Sequence, residues 1–87
     1  MLFMGIITWE PGNRDKVRKA FVTPGSQTGK TIGVWSDIGG CRAFRLFEAD
    51  DARAMCVAAN FWNDVATLEI IPVMESQDLM RVVASKN

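Results

Sequence analysis

The sequence predicts an α+β fold in which strands and helices alternate as βαββαβ, with one further helix at the C-terminal end. One pattern occurs twice: an apolar strand ends at a glutamate, and a capped amphipathic helix follows it. A second strand follows each helix, and the short connections leave few unknotted arrangements other than a ferredoxin-like unit. The predicted elements are strands Leu2–Trp9, Thr31–Asp37, Cys41–Phe47 and Val65–Met74, and helices Asn13–Phe21, Asp51–Asn63 and Ser76–Ala84.

Length and composition narrow the class of protein. A chain of 87 residues makes one domain, 1–87, because so short a chain can barely bury one core. Acidic and basic side chains balance at ten each, which argues against disorder and against a nucleic-acid partner held by excess positive charge. The N-terminal run lacks a basic leader and meets Glu10 and Pro11 too early to span a bilayer, so we expect a cytoplasmic protein without a membrane segment.

The helices differ in their apolar patterns. The first places Val17, Ala20 and Phe21 on one side, whereas the second is apolar over a wider arc, which predicts cover on more than one side. Asp50 or Asp51 is the expected N-cap of the second helix. The tail helix is expected to dock on the body or on a partner through a narrow apolar stripe. That stripe consists of Leu79, Met80, Val82 and Val83.

The two central strands are joined through Gly39-Gly40, a dipeptide that can supply the positive φ angles of a type I′ turn. In that register Trp35 faces Phe44 and Asp37 faces Arg42, so an aromatic pair and an opposite-charge pair arise together. A turn one residue longer would shift the pairing by one, and the sequence leaves both registers open.

The sheet itself gives the clue to assembly. Its first and last strands are apolar on both faces: Leu2, Met4 and Ile6 alternate with Phe3, Ile7 and Trp9, and Leu68 and Ile70 with Ile71 and Val73. Two crossover helices cover only one face of a four-stranded sheet, so the other face would expose an apolar patch of roughly several hundred Å². We therefore expect a homodimer formed through the sheet, most simply around a two-fold axis.

The chain lacks the residues of several common sites. It contains no histidine, which excludes a Ser-His-Asp triad, a Cys-His pair and metal ligation by imidazole. Cys41 and Cys56 have no CxxC spacing and are expected to be reduced thiols. The segment 24–31 nearly matches the phosphate-binding GxxxxGK[ST] loop, but Pro24 replaces the first glycine and a strand follows instead of a helix. We expect no metal, no cofactor and no nucleotide.

Six short motifs are spread over nearly the whole chain. They are Val34-Trp35, Gly40, Phe44, Glu48-Ala49-Asp50-Asp51, Trp62-Asn63-Asp64 and Ile71-Pro72-Val73. In combination they resemble the small proteins grouped as domain of unknown function 3303. That family resembles the dimeric α+β barrel superfamily, in which two ferredoxin-like subunits pack sheet to sheet, and its chemistry is unassigned. The family pattern often has a histidine after the tryptophan of the second strand. This chain has Ser36 there, so the resemblance implies no role that needs that imidazole.

Five residues are candidates for a small-molecule site between the sheet and the helices. Trp35, Phe44 and Trp62 would form an apolar lining, and Arg45 or Glu48 would supply the polar handle. Glu48 is also a candidate for catalysis, with support of the second helix as its structural alternative. Whether the chain is an enzyme stays open.

Charged residues inside apolar strands have more than one interpretation. Arg45 and Glu69 each interrupt such a strand, which predicts an ion pair inside the dimer, recognition of a ligand, or exposure at an edge. Glu10 and Glu48 stand at equivalent strand ends and, together with Glu69 in mid-strand, are the candidates for a pair of catalytic carboxylates.

Two function classes remain after this reading. One is a dimer that binds or processes a small apolar or aromatic molecule. This class is suggested by sister families of the superfamily, and the analogy with them rests on the fold alone. The other is a non-catalytic interaction or structural dimer module. The volume of the pocket separates them, because a closed interior filled by the chain's own tryptophans favours the interaction module.

Overall fold

The computed structural model describes residues 1–23 and 29–85, and every predicted helix and strand is present within these ranges. The elements are β1 (Leu2–Thr8), α1 (Arg14–Phe21), β2 (Lys30–Ser36), β3 (Arg42–Glu48), α2 (Ala52–Trp62), β4 (Thr67–Pro72) and α3 (Ser76–Ser85), with a 3₁₀ turn at Pro11–Asn13. Most of the segment that resembles a phosphate-binding loop, residues 24–28, lies outside the described ranges.

The four strands form one antiparallel sheet in the order β2-β3-β1-β4. β1 pairs with β3 on one side and with β4 on the other, and β2 pairs with β3 at the edge. The helices α1 and α2 therefore each connect strands that are not neighbours in the sheet, as in the split βαβ units of a ferredoxin-like fold. The predicted ferredoxin-like α+β fold is confirmed.

The ends of the second helix follow from hydrogen bonds at its two termini. Asp51 is the N-cap, because its Oδ1 accepts from the backbone N–H groups of Arg53 at 3.1 Å and Ala54 at 3.3 Å. At the other end Val65 and Ala66 both donate to the carbonyl of Trp62. The chain is still turning there, which is why β4 begins at Thr67, two residues later than predicted.

The β2–β3 hairpin has the predicted register but a different turn. Trp35 pairs with Phe44, and Arg42 forms a salt bridge to Asp37 at 3.2 Å. The predicted type I′ turn is wrong, because the positive φ angles fall on Gly40 (93°) and Cys41 (65°). The side chain and carbonyl of Asp37 accept from the N–H groups of the two glycines and hold a longer turn without shifting the register.

The two faces of the sheet have different surroundings. One face packs against α1 and α2 and holds the buried side chains Phe3, Ile7, Ala43, Arg45 and Phe47, which contact Val17, Ala58 and Trp62 of the helices or lie beside them. The opposite face, here called the open sheet face, carries no helix among the described residues. It consists of Leu2, Met4, Ile6 and Thr8 of β1, Gly33 and Trp35 of β2, Arg42, Phe44, Leu46 and Glu48 of β3, and Thr67, Glu69 and Ile71 of β4.

The C-terminal helix α3 does not pack on the body of the molecule. All of its residues are exposed, including the apolar stripe Leu79, Met80, Val82 and Val83. The predicted docking of this stripe on the body is therefore wrong, and docking on a partner stays a prediction.

Gly5 lies in the middle of β1 on the buried face, and its position has room for a methyl group. A Cβ atom there would contact Phe47 Cε1 at 3.6 Å and Leu68 Cδ1 at 3.9 Å, which are ordinary van der Waals distances. Because glycine in a strand loses extra backbone entropy on folding, we expect Gly5→Ala to raise the free energy of unfolding by about 0.5–1 kcal/mol in urea titrations.

Gly33→Ala is the matched control in β2. There a Cβ atom would lie 2.7 Å from Cη2 of Trp35, so the same substitution should give no gain in stability. A loss of stability in Gly5→Ala as large as that in Gly33→Ala would contradict the space assigned to Gly5.

Candidate functional site

The five residues predicted to line one small-molecule pocket do not meet in one place. Trp62 and Arg45 lie on the helix-covered side of the sheet, whereas Trp35 and Phe44 lie on the open sheet face. Glu48 is exposed at the end of β3, opposite Lys30 of β2. The sheet therefore separates the aromatic residues that were expected to act together.

Trp62 belongs to the core. It is 2% exposed and packs against Phe21 with ring centroids 4.9 Å apart and against Phe61 at 5.6 Å. The remaining cavity between the sheet and the helices measures about 20 Å³ and is lined by Trp62, Phe47, Arg45 and their neighbours. A space of this size holds about one water molecule, so an aromatic ligand does not fit there.

Arg45 is a buried cation at 6% exposure. Its Nε donates to Oγ1 of Thr31 at 2.9 Å, and its guanidinium carbon lies 4.4 Å from the centre of the Phe47 ring. Burial lowers the pKa of Arg45, because removal from water disfavours the charged form. The hydrogen bond and the aromatic face partly replace the lost hydration.

The predicted ion pair between Arg45 and Glu69 is wrong. Arg45 faces Gly5 in the neighbouring strand, on the buried side, whereas Glu69 faces Ile6 and is exposed on the open sheet face. The two charges therefore lie on opposite sides of the sheet. Their partners in β1 are successive residues, and successive side chains of a strand point to opposite faces of the sheet.

The predicted pair of carboxylates is also separated. Glu48 ends β3 beside Leu2, at the start of β1, whereas Glu10 follows the other end of β1. Equivalent positions in two antiparallel neighbours lie at opposite ends of the sheet, so no shared acid–base site forms. The N-cap of α2 is Asp51, and Glu48 lines an open hollow with Lys30, Asp50 and Asp51.

The open sheet face is an apolar surface outside the core. Trp35 is 54% exposed and lies over Gly33. Phe44 stands beside it, with the guanidinium carbon of Arg42 5.2 Å from the ring centre. Met4, Ile6 and Leu46 continue this surface across β3 and β1 to Ile71 of β4.

A second surface feature was not predicted from the sequence. A cleft of about 300 Å³ opens between α1 and the end of the β2–β3 hairpin, here called the α1–hairpin cleft. It is lined by Trp9, Arg14, Val17, Arg18 and Phe21 and, from the hairpin side, by Ser36, Asp37, Gly40, Cys41, Arg42 and Ala43. One signal that could have indicated it is the i, i+4 spacing of two arginines beside the apolar stripe of the first helix.

The described residues offer no sign of a metal or membrane site. No group of three or more potential metal ligands comes together in residues 1–23 and 29–85. Within the same ranges no helix has both the length and the hydropathy needed to cross a bilayer.

The core position of Trp62 gives a direct test. Trp62→Ala should lower the free energy of unfolding by about 3–5 kcal/mol, because it removes a large side chain from a packed interior. Trp35→Ala, which removes the same side chain from the open sheet face, should cost the monomer less than about 1 kcal/mol. Chemical denaturation followed by circular dichroism measures both, and equal losses would contradict the assignment of the two tryptophans.

Comparison with known proteins agrees with this fold and leaves the chemistry open. The chain resembles an uncharacterised NIPSNAP-like domain protein from Burkholderia xenovorans (TM-score 0.51, 11% identity, 86% of this chain and 85% of that chain). It also resembles a protein from Deinococcus radiodurans assigned as an antibiotic biosynthesis monooxygenase (TM-score 0.50, 12% identity, 86% and 93%). At this level of identity the likeness of the chain to both proteins concerns the fold alone.

Curated proteins give no match to the chain. The family model described as a domain of unknown function, DUF3303, matches residues 1–87. The chain therefore belongs to the DUF3303 family.

Proposed function

We propose that the chain functions as a homodimeric interaction module whose two subunits pack through the open sheet face. The observation that carries this proposal is the contrast between the two sides of the sheet. On the helix-covered side, side chains fill the interior and leave a cavity of only about 20 Å³. The open side presents aromatic and aliphatic side chains to solvent.

The arrangement of the open sheet face is that of an interface. Its centre is apolar, with Met4 and Ile6 of β1 beside Leu46 and Phe44 of β3. Charged and hydroxyl side chains stand at the margins, including Arg42, Glu48, Glu69 and Thr67. An apolar centre with a polar rim is typical of protein–protein contacts, and soluble monomers rarely leave such a patch exposed.

A second copy of the chain is the occupant that the surface favours. The net charge is zero, so two copies do not repel each other as whole molecules. The open sheet face carries the positive charge of Arg42 and the negative charges of Glu48 and Glu69. Because both signs are present, the face is capable of self-complementary contacts around a two-fold axis. The resemblance to the dimeric α+β barrel superfamily, described in the sequence analysis, gives the same expectation of sheet-to-sheet pairing.

The helix α3 supplies a second contact in this proposal. Leu79 and Val83 are four residues apart and exposed, so they form one side of an apolar stripe that the body of the same chain leaves uncovered. We assign this stripe to the same partner subunit.

Both cysteines are free, which agrees with a module that works in the reducing cytoplasm.

The dimer is tested by placing one charge on each face of the sheet. Ile71 is 38% exposed on the open sheet face, whereas Ile7 is 4% exposed in the core. We expect the wild type to sediment at twice the chain mass of 9.7 kDa at micromolar concentration. Ile71→Glu should keep the fold and weaken the dimer at least about tenfold, because it places a carboxylate in the apolar interface.

Two controls make the sedimentation result specific. Ile7→Glu should unfold the chain, since it buries an unpaired carboxylate in the core. Val57→Glu adds the same charge on an exposed position of α2 and should leave both fold and dimer unchanged. A wild type that sediments as a monomer, or a dimer that Ile71→Glu and Val57→Glu weaken equally, would overturn the proposal.

A further inference from the structure

We propose that the α1–hairpin cleft binds a small organic anion with a flat apolar body, of the class of aromatic carboxylates. The cleft lies outside the open sheet face except for Arg42, which lines both surfaces. Apart from Phe21, its lining is also distinct from that of the small cavity between the sheet and the helices. The proposal therefore does not depend on the dimer.

The floor of the cleft is apolar and rigid. Val17 of α1 and Ala43 of β3 are both buried, and the half-buried Phe21 adds an aromatic ring from the last turn of the helix. Val17 belongs to the core cluster that also holds Ile7 and Trp62. A planar ligand would therefore rest on a surface that the core holds in place, with little loss of conformational entropy by the protein.

The walls of the cleft carry an excess of positive charge. Arg14 and Arg18 lie one turn apart on α1 and both line the cleft. Arg42 on the hairpin side is already paired with Asp37 at 3.2 Å, so these two charges offset each other. Among the described residues neither arginine of α1 takes part in a salt bridge, which leaves two guanidinium groups for a bound anion. Guanidinium groups bind carboxylates through paired, charge-assisted hydrogen bonds.

Neutral donors in the cleft wall add to the same chemistry. Trp9 lines this cleft and also a hollow beside Glu10 and Asn13, and its Nε1 is buried without a hydrogen-bond partner among the described residues. Ser36 supplies a hydroxyl group and Cys41 a thiol from the hairpin side. A buried N–H group without an acceptor is unfavourable, and an oxygen of a bound ligand would relieve it after a small movement of the indole.

The size of the cleft limits the ligand. At about 300 Å³ the cleft is at the small end of ligand pockets, which span roughly 300–1,000 Å³. One or two fused rings with a single carboxylate fill such a space. A larger anion would project into solvent, and a neutral aromatic compound would leave the two arginines without a partner.

Naphthoate is a suitable probe, and the three tryptophans of the chain report where it binds. Each indole N–H gives one NMR signal, which a Trp→Phe variant identifies. Titration should shift the signal of Trp9 in the cleft, whereas the signal of Trp35 on the open sheet face should stay in place. Naphthamide, a neutral compound of the same shape, should bind at least about tenfold more weakly, because it lacks the charge that the arginines recognise.

A matched pair of double variants tests the arginines. Arg14→Gln with Arg18→Gln removes both cations from the cleft and should weaken naphthoate at least about tenfold. Lys16→Gln with Lys19→Gln makes the same change of charge on the same helix. These lysines line a different hollow beside Phe61 and Asp64, so naphthoate affinity should change by less than about threefold.

Three results would overturn the proposal. The first is a Trp9 signal that does not move at millimolar naphthoate, with circular dichroism showing a folded wild type. The second is equal weakening by the arginine and lysine variants, which would indicate attraction by total charge only. The third is a shift confined to Trp35, which would place the compound on the open sheet face.

Discussion

The rest of this molecule depends on one constraint: the helices α1 and α2 cover only one face of the four-stranded sheet. Side chains alternate along each strand, and only one face of the sheet has helices to bury them. On that face Phe3 and Phe47 stack at 5.7 Å, and Ile7, Val17 and Trp62 form the second half of the core. These side chains fill the layer between sheet and helices. The interior is consequently a packed core, and surfaces that remain for function lie on the open sheet face, on α3 and at the ends of the sheet.

Arg45 is the exception within the packed layer. A guanidinium group keeps its charge at neutral pH even when burial lowers its pKa, so the layer contains a cation that needs local compensation. Its Nε–H bond to Thr31 crosses from β3 to β2, and its contact with the Phe47 ring lies along β3. The hydrogen bond to Thr31 holds the edge strand β2 near its bulge between Thr31 and Gly33. The cavity beside Arg45 measures about 20 Å³, which leaves no room for a ligand. The side chain therefore stabilises the sheet.

The sequence was sufficient for those features that depend on local patterns. The doubled strand–helix pattern predicted the order of elements, and the Trp35–Phe44 and Asp37–Arg42 pairs predicted the hairpin register that the structure has. The predicted pocket failed because it grouped residues by chemical type without their faces. Trp35 and Trp62 look alike in the sequence, yet strand alternation sends one to solvent and helix packing sends the other to the core. The spacing of Arg14 and Arg18 indicates only one wall of the α1–hairpin cleft, because the second wall is brought to it by the packing of α1 on the sheet.

The end of the β2–β3 hairpin is where the two exposed surfaces meet. The aliphatic and guanidinium part of Arg42 lies beside Phe44 on the open sheet face, while the same residue and Asp37 form one wall of the cleft. The turn between them is held in an unusual backbone conformation, since Cys41 has a φ of 65° that costs a non-glycine residue about 1–2 kcal/mol. Bonds on both sides compensate for this cost. The carbonyl of Cys41 accepts from the N–H of Trp9, and Asp37 holds Arg42 and both glycines of the turn. These bonds fix the hairpin wall of the cleft relative to the end of β1. They lie within one chain, so they do not require a second subunit on the open sheet face.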